Sequence, residues 1–226
     1  MIDLKKVNIT EIARKLHQPF SMVNVATVGD LVVSLYICQG VLDWHRHLDN
    51  DELFWVHQGT MFLDSEWGTL QLQPGELTVV PKGVEHRSRA GARADVLLLR
   101  CGFVADRKNG NRRLYGLPGE AKLQHVSLIK TARSLVKPFR FQTVARIAGA
   151  VVQVAWGEGT WSLPTPAPHD VSFLILEGTA TVRASRSMVH LHPGDLTVAP
   201  RDVVYHLSTT KNTLLAQVTR EGQQGK

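Results

Sequence analysis

The chain has 226 residues, with 26 Lys+Arg against 20 Asp+Glu for a formal net charge of +6, and is 43% hydrophobic and 20% charged. That length fits one large domain or two of about 110 residues, the apolar share excludes global disorder, and no apolar run approaches the roughly 18 residues of a membrane span. The basic excess is small and dispersed; its densest stretch, Arg107-Lys108-Asn109-Gly110-Asn111-Arg112-Arg113, reads as a solvated loop, and with no aromatic interleaving or zinc-finger spacing no nucleic-acid partner is expected. The first sixteen residues lack an apolar h-region, so no secretory signal is expected. Cys38 and Cys101 are too few for a disulfide scaffold, which makes a reduced, cytoplasmic setting the default.

A short helix opens the chain. Asn8 or Thr10 can cap it, and Ile9, Ile12, Ala13 and Leu16 form one apolar stripe. From there the pattern is β. Leu31 to Cys38, Glu52 to His57, Met61 to Asp64, Leu70 to Leu72, Leu77 to Val80 and Val96 to Cys101 are short apolar runs divided by Gly, Pro, Asn and Asp turns. Strands at roughly 8–12 residue spacing predict a sandwich or jelly-roll barrel rather than alternating βαβ units.

The second half repeats this plan. At an offset of 119 residues Val7 falls on Val126, Pro19-Phe20 on Pro138-Phe139, Gly59-Thr60 on Gly178-Thr179, and Pro74-Gly75 on Pro193-Gly194. From Val7 to His86 the register gives 23 identities in 80 pairs, where chance at ordinary composition gives about five. Further strands are expected at Ala150 to Trp156, Ser172 to Leu176, Thr181 to Ala184, Leu196 to Ala199 and Thr213 to Val218. The predicted domains are residues 1–106 and 126–226, joined by a linker over 107–125.

Chemistry concentrates in the first half. In Trp44-His45-Arg46-His47, two imidazoles at i and i+2 share a face if the segment is extended. Glu52 opens the run Glu52-Leu53-Phe54-Trp55-Val56 on the parity of Phe54 and Val56, taken as the interior face. The turn Pro81-Lys82-Gly83 then delivers His86 to another strand. Three imidazoles and one carboxylate suit a divalent first-row metal. They also leave coordination positions open for substrate or water. Facing an apolar interior with no cation, the same four groups would carry a large desolvation cost.

These residues resemble the motifs of the cupin superfamily. The first reads here as Gly40, four residues, His45-x-His47, four residues, Glu52, six residues, Gly59; its first gap is one residue short. The second reads as Gly75, five residues, Pro81-x-Gly83, two residues, His86; Ala90 stands where the family pattern has a non-ligating Asn. The resemblance implies an all-β fold of two tandem cupin barrels (double-stranded β-helix, jelly roll), each with a short N-terminal helix. It also implies one divalent transition metal per chain, held by His45, His47, Glu52 and His86, with iron, manganese, nickel, zinc and copper all admissible.

The second half lacks this ligand set. The offset places Pro164, Pro166, Val171 and Tyr205 at the four ligand positions, and Asp202 at Gly83. A second metal site is therefore not expected, and Val171, Phe173, Ile175 and Tyr205 are expected to fill that interior. In the first half Met61 and Leu63 are candidates for a pocket wall and Arg87 for receiving an anionic substrate. Trp44 and His57 are expected on outward faces, and Cys38 and Cys101 in the core. No general base outside the ligand set stands out, so catalytic residues stay unassigned. The resemblance implies either a metal-dependent isomerase, lyase, decarboxylase or dioxygenase acting on a small carbonyl, carboxylate or sugar-like molecule, or a non-catalytic binding or sensing module. The expected partner is a small molecule, with no membrane, and the chain is expected to be a monomer or homodimer.

Overall fold

The computed structural model describes residues 3–101, 122–162, 165–185 and 187–221. In the first half these form β1 (Lys6–Asn8), α1 (Ile9–Lys15), β2 (Met22–Val28), β3 (Leu31–Val41), β4 (Glu52–Gln58), β5 (Met61–Ser65), β6 (Gly68–Leu72), β7 (Glu76–Val80) and β8 (His86–Cys101). The second half contributes β9 (Val126–Ser127), α2 (Leu128–Ser134), β10 (Gln142–Ile147), β11 (Ala150–Ser162), β12 (Val171–Glu177), β13 (Ala180–Ala184), β14 (Ser187–Leu191), β15 (Asp195–Ala199) and β16 (Tyr205–Arg220). The chain is all-β apart from the two short helices, as expected. Most of linker 107–125, with the basic stretch it contains, lies outside the described residues, as do Leu163 and Pro164. No helix among the described residues is long and apolar enough to cross a membrane.

Local chemistry explains the elements. The Asn8 side-chain oxygen accepts a hydrogen bond from the Glu11 amide at 2.7 Å, capping α1 as the sequence suggests. Arg14 and Lys15 close its last turn, where the helix dipole favours cations. The Pro74-Gly75 turn places Gly75 at φ +77, and the Gly75 amide donates to the Val56 carbonyl at 2.9 Å. The same turn recurs at Gly194, whose amide donates to the Ile175 carbonyl at 2.9 Å.

The strands form two eight-stranded antiparallel sheets. One runs β2-β3-β8-β4-β7-β9, with β5 and β6 attached through β8. The other runs β1-β15-β12-β16-β11-β10, with β13 and β14 attached through β16. β8 organises the first sheet: Val96 to Leu99 pair with β3 and β4, while His86 to Arg89 pair with β5. Only the apolar half of β8 is legible as a strand; Arg87, Ser88, Arg89 and Gly91 interrupt the apolar signal before it. Inside this sheet Tyr36, Cys38, Phe54, Val56, Met61, Leu63, Val80, Val84 and Leu98 pack as one core cluster.

The chain forms two compact units, each drawing on both halves of the sequence. One comprises Met1–Ile12, Val25–Gly29 and Leu128–Lys226, and the other Ala13–Asn24 and Asp30–Ser127. The reason is edge pairing. β1 adds to β15, with Val7 opposite Leu196, and β9 adds to β7, with Leu77 opposite Val126. Strands of two or three residues carry no periodicity, so neither pairing can be read from the sequence.

Candidate metal centre

The loop between β3 and β4, β4 itself and β8, all of the Ala13–Asn24/Asp30–Ser127 unit, bring His45, His47, Glu52 and His86 together. One ligand atom from each lies within 4.8 Å of all the others, and this is the one such group of His, Cys, Asp or Glu found among the described residues. Glu52 is the first residue of β4 and faces inward with Phe54 and Val56. His86 begins β8 and is 1% exposed. His45-x-His47 is not a strand, contrary to the simplest reading of its spacing. His45 makes one isolated antiparallel bridge to His86, its amide donating to the His86 carbonyl at 3.0 Å and its carbonyl accepting from the His86 amide at 2.9 Å. His47 is held by its own carbonyl, which accepts from the Gly83 amide at 2.7 Å. The Pro81-Gly83 turn therefore positions His47 as well as His86, and Gly83 adopts φ +85 to do so.

Backbone carbonyls select the inward-facing nitrogens. His45 Nδ1 donates to the Asp43 carbonyl at 2.8 Å, and His86 Nδ1 donates to the Val84 carbonyl at 2.9 Å. A carbonyl only accepts, so Nδ1 carries the proton and Nε2 is left as a lone pair in the neutral ring. Burial first, and the neighbouring His86 second, pull the His45 pKa down to about 4, so that ring is neutral near pH 7. His86 Nε2 lies 3.0 Å and His47 Nε2 3.3 Å from Glu52 Oε2. Burial alone would raise the Glu52 carboxyl; with a proton on the facing nitrogens of His47 and His86, their hydrogen bonds and charge outweigh it and hold the group well below the usual carboxylate range, a part that a bound cation would take when the rings are neutral.

The donor set fits a metal. Inward lone pairs on imidazoles, set against a buried carboxylate oxygen, repel unless a cation lies among them. Atoms bound at about 2.0–2.2 Å from a common ion stand at most roughly 4.4 Å apart, close to the observed span. The two Nδ1 bonds to carbonyls are the outer interactions that fix tautomer and ring orientation in metal sites.

A cavity of about 270 Å³ opens over the group, with His45, His47 and Glu52 in its wall. Phe20, Met22, Tyr36, Leu42, Phe54 and Leu98 supply its apolar surface, and Ser88 and Arg100 its other polar groups. The three residues expected to meet substrate lie elsewhere. Met61 and Leu63 are fully buried in the core, Met61 Sδ accepting from the Tyr36 hydroxyl at 3.6 Å. Arg87 donates to Asp64 at 3.0 Å and lies over the Trp44 ring at 4.9 Å. Their β5 and β8 positions point correctly inward or outward, but the sequence alone does not say how deep the pocket reaches. Of the residues missed, Arg100 had a signal: it stands two places after Leu98 in an apolar strand, on the inward parity. Trp44 is exposed and His57 half-buried.

In the other unit, Val171 and Tyr205 occupy the positions of Glu52 and His86, and both belong to a core cluster with Phe173, Ile175 and Val203. Pro166 is exposed, and Pro164 lies outside the described residues.

Residues 37–99 match the family described as Cupin domain. A curated relative, "Uncharacterized protein YdbB" of Bacillus subtilis (strain 168), is 33% identical over 90 residues, which is 39% of this chain and 80% of that protein. Among solved structures, a Cupin 2 conserved barrel domain protein from Leptotrichia buccalis superposes with a TM-score of 0.73 at 10% identity over 96% of each chain. A salicylate 1,2-dioxygenase from Pseudoaminobacter salicylatoxidans, in adducts with gentisate, gives a TM-score of 0.73 at 13% identity over 96% of this chain and 81% of that one. At those identities the likeness is one of fold.

Proposed function

The chain belongs to the cupin family, and from that premise we propose that it is a bicupin holding one divalent transition metal at His45, His47, Glu52 and His86, and an enzyme acting there on a small molecule. The observation that carries this reading is the convergence of three imidazoles and one carboxylate beneath a cavity. When bound, the metal would supply Lewis acidity toward a substrate oxygen or, if it is iron, redox chemistry. The chain's own residues do the rest. Asp43 and Val84 carbonyls orient two of the rings, the apolar wall keeps bulk water from the site, and Tyr36 remains protonated because burial raises its pKa well above the ordinary phenol value. Isomerase, lyase, decarboxylase and dioxygenase chemistries all use such a centre. One fold neighbour is named as a salicylate 1,2-dioxygenase.

The other barrel is read as metal-free, because Val171 and Tyr205 offer neither a carboxylate nor an imidazole at the ligand positions. One observation favours a non-catalytic binding module instead: beyond the ligands, the cavity wall carries no carboxylate or imidazole among its described lining residues. Turnover across a panel of small carbonyl and carboxylate compounds separates the two readings. Elemental analysis of protein purified without added metal tests both. The wild type is expected to carry close to one ion per chain and His47→Ala far less, since loss of even an outer supporting group costs about 10–100-fold in metal affinity. Full metal content in His47→Ala would refute the ligand set.

A further inference from the structure

Four arginines of the Ala13–Asn24/Asp30–Ser127 unit are held close to carboxylates. Arg87 and Arg89 donate to Asp64 at 3.0 and 2.9 Å, and Arg93 to Asp95 at 2.8 Å as well as to the Ala13 and Leu16 carbonyls. Arg46 lies 3.2 Å from Glu85. Arg100 lines the metal cavity instead. Among the described residues its guanidinium reaches Met22 Sδ at 3.7 Å and Glu52 Oε1 at 3.6 Å. A thioether is a weak acceptor, and 3.6 Å is beyond a good charged hydrogen bond. A guanidinium has five N–H donors, so most of them are unspent on protein acceptors.

Its surroundings narrow what could use those donors. Phe20, Met22, Leu42, Phe54 and Leu98 offer no polar partner, and the Tyr36 hydroxyl is directed at Met61 Sδ. Ser88 is the other neutral polar side chain in the wall. A sugar or polyol would bury hydroxyls against this surface unpaired, at a cost for each. A planar carboxylate matches the guanidinium fork with two parallel hydrogen bonds. The volume of about 270 Å³ falls just under the roughly 300–1,000 Å³ of pockets for drug-sized ligands, which limits the occupant to a small molecule.

We infer that Arg100 is a specificity-determining residue that anchors the carboxylate of a small, otherwise apolar substrate, whose body packs on the Phe20, Met22, Leu42 and Phe54 wall. This rests on the cavity being the substrate pocket of the metal centre, and it narrows the broader class of carbonyl, carboxylate and sugar-like molecules to one.

Isothermal titration calorimetry of the full chain, with metal content measured on each sample, tests it. Benzoate is the probe, with benzamide and benzyl alcohol as neutral analogues of similar size. The expected result is benzoate binding at least about 10-fold tighter than either neutral analogue, as a charged hydrogen-bonded pair gives. Arg100→Gln should bring benzoate down to the benzamide level, and Arg100→Lys should retain part of the preference because it keeps the charge but not the fork. Benzoate binding no tighter than benzamide, or undetectable, in metal-containing protein overturns the inference while leaving the metal centre intact. So does unchanged benzoate affinity in a metal-containing Arg100→Gln protein. Loss of metal in both Arg100 variants would make the residue a support for Glu52 and likewise overturn it. Absence of metal in the wild type would instead strike the metal reading on which the inference stands.

Discussion

Asp43 and Val84 give no side chain to the candidate centre, yet their carbonyls decide which nitrogen of His45 and His86 turns inward. Three of the candidate ligands, His45, His47 and Glu52, were legible from their short spacing, and His86 from the Pro81-Gly83 turn before it. The carbonyls were not, because every residue has one and only the folded backbone aims it. Depth was similarly hidden. Met61 and Leu63 have the right parity for an interior wall but sit in the core below the cavity, whereas Phe20 and Met22, from a segment with no apolar alternation, reach it. Cys38 shows burial acting on reactivity at the same scale. Burial, only partly offset by a hydrogen bond with Ser88, raises its pKa to about 11. At pH 8 about one thiol in a thousand is then ionised, and the thiolate is the nucleophile. Cys38 is expected to resist iodoacetamide in native protein and to react once denaturant is added. Mass mapping of its peptide checks this, and rapid native labelling of Cys38 would contradict the buried placement.

Elements are held in register by glycines whose roles differ. Gly59, between β4 and β5, has φ +79, and a Cβ there would meet the Arg93 carbonyl and lie 2.7 Å from Ala94 Cα. Both obstacles are backbone of β8, so neither can swing aside. Gly29, between β2 and β3, has φ +62 with nothing within 4 Å of an added Cβ. Gly29→Ala is therefore expected to cost only the backbone preference, about 1 kcal/mol. Gly59→Ala adds displacement of a central strand and should cost roughly 3 kcal/mol or more. Urea unfolding of the two variants measures the difference, and equal midpoints would show that β8 yields more easily than its pairing implies. The existence of these turns was readable from Gly-Thr and Pro-Gly pairs; the close approach at Gly59 was not, since a long-range contact leaves no local sequence mark. The same limit hid β1 and β9, which find their partners far along the chain.

Across the whole molecule, residues 119 positions apart make matched hydrogen bonds. The Lys82 amide donates to Asp51 at 2.8 Å as the Arg201 amide donates to Asp170 at 2.8 Å, and the Phe20 amide to the Ile37 carbonyl as the Phe139 amide to that of Trp156, each at 2.8 Å. Phe20 and Phe139 even share positive φ, at 60° and 54°. What differs is the filling. Where His86 joins the His45, His47 and Glu52 group, Tyr205 packs edge-on to Phe173 at 5.4 Å and near Trp161 at 6.0 Å. That burial raises the Tyr205 pKa well above the ordinary phenol value. An unfolded tyrosine titrates near its ordinary value of about 10. Below pH 10 both states keep the proton and the group contributes no pH dependence. Above it the unfolded state loses the proton first, so stability falls progressively as pH rises toward the folded value. Tyr36, likewise raised by burial, adds to the same alkaline slope. Tyr205→Phe should change stability near pH 7 by no more than about 1 kcal/mol, because its hydroxyl has no hydrogen-bond partner among the described residues to lose. It should also flatten the decline between about pH 10 and 11.5. Urea midpoints measured for both proteins across that interval decide the point: parallel curves would mean that the Tyr205 hydroxyl is hydrated in the native state and that its core cluster is open where its packing makes it closed.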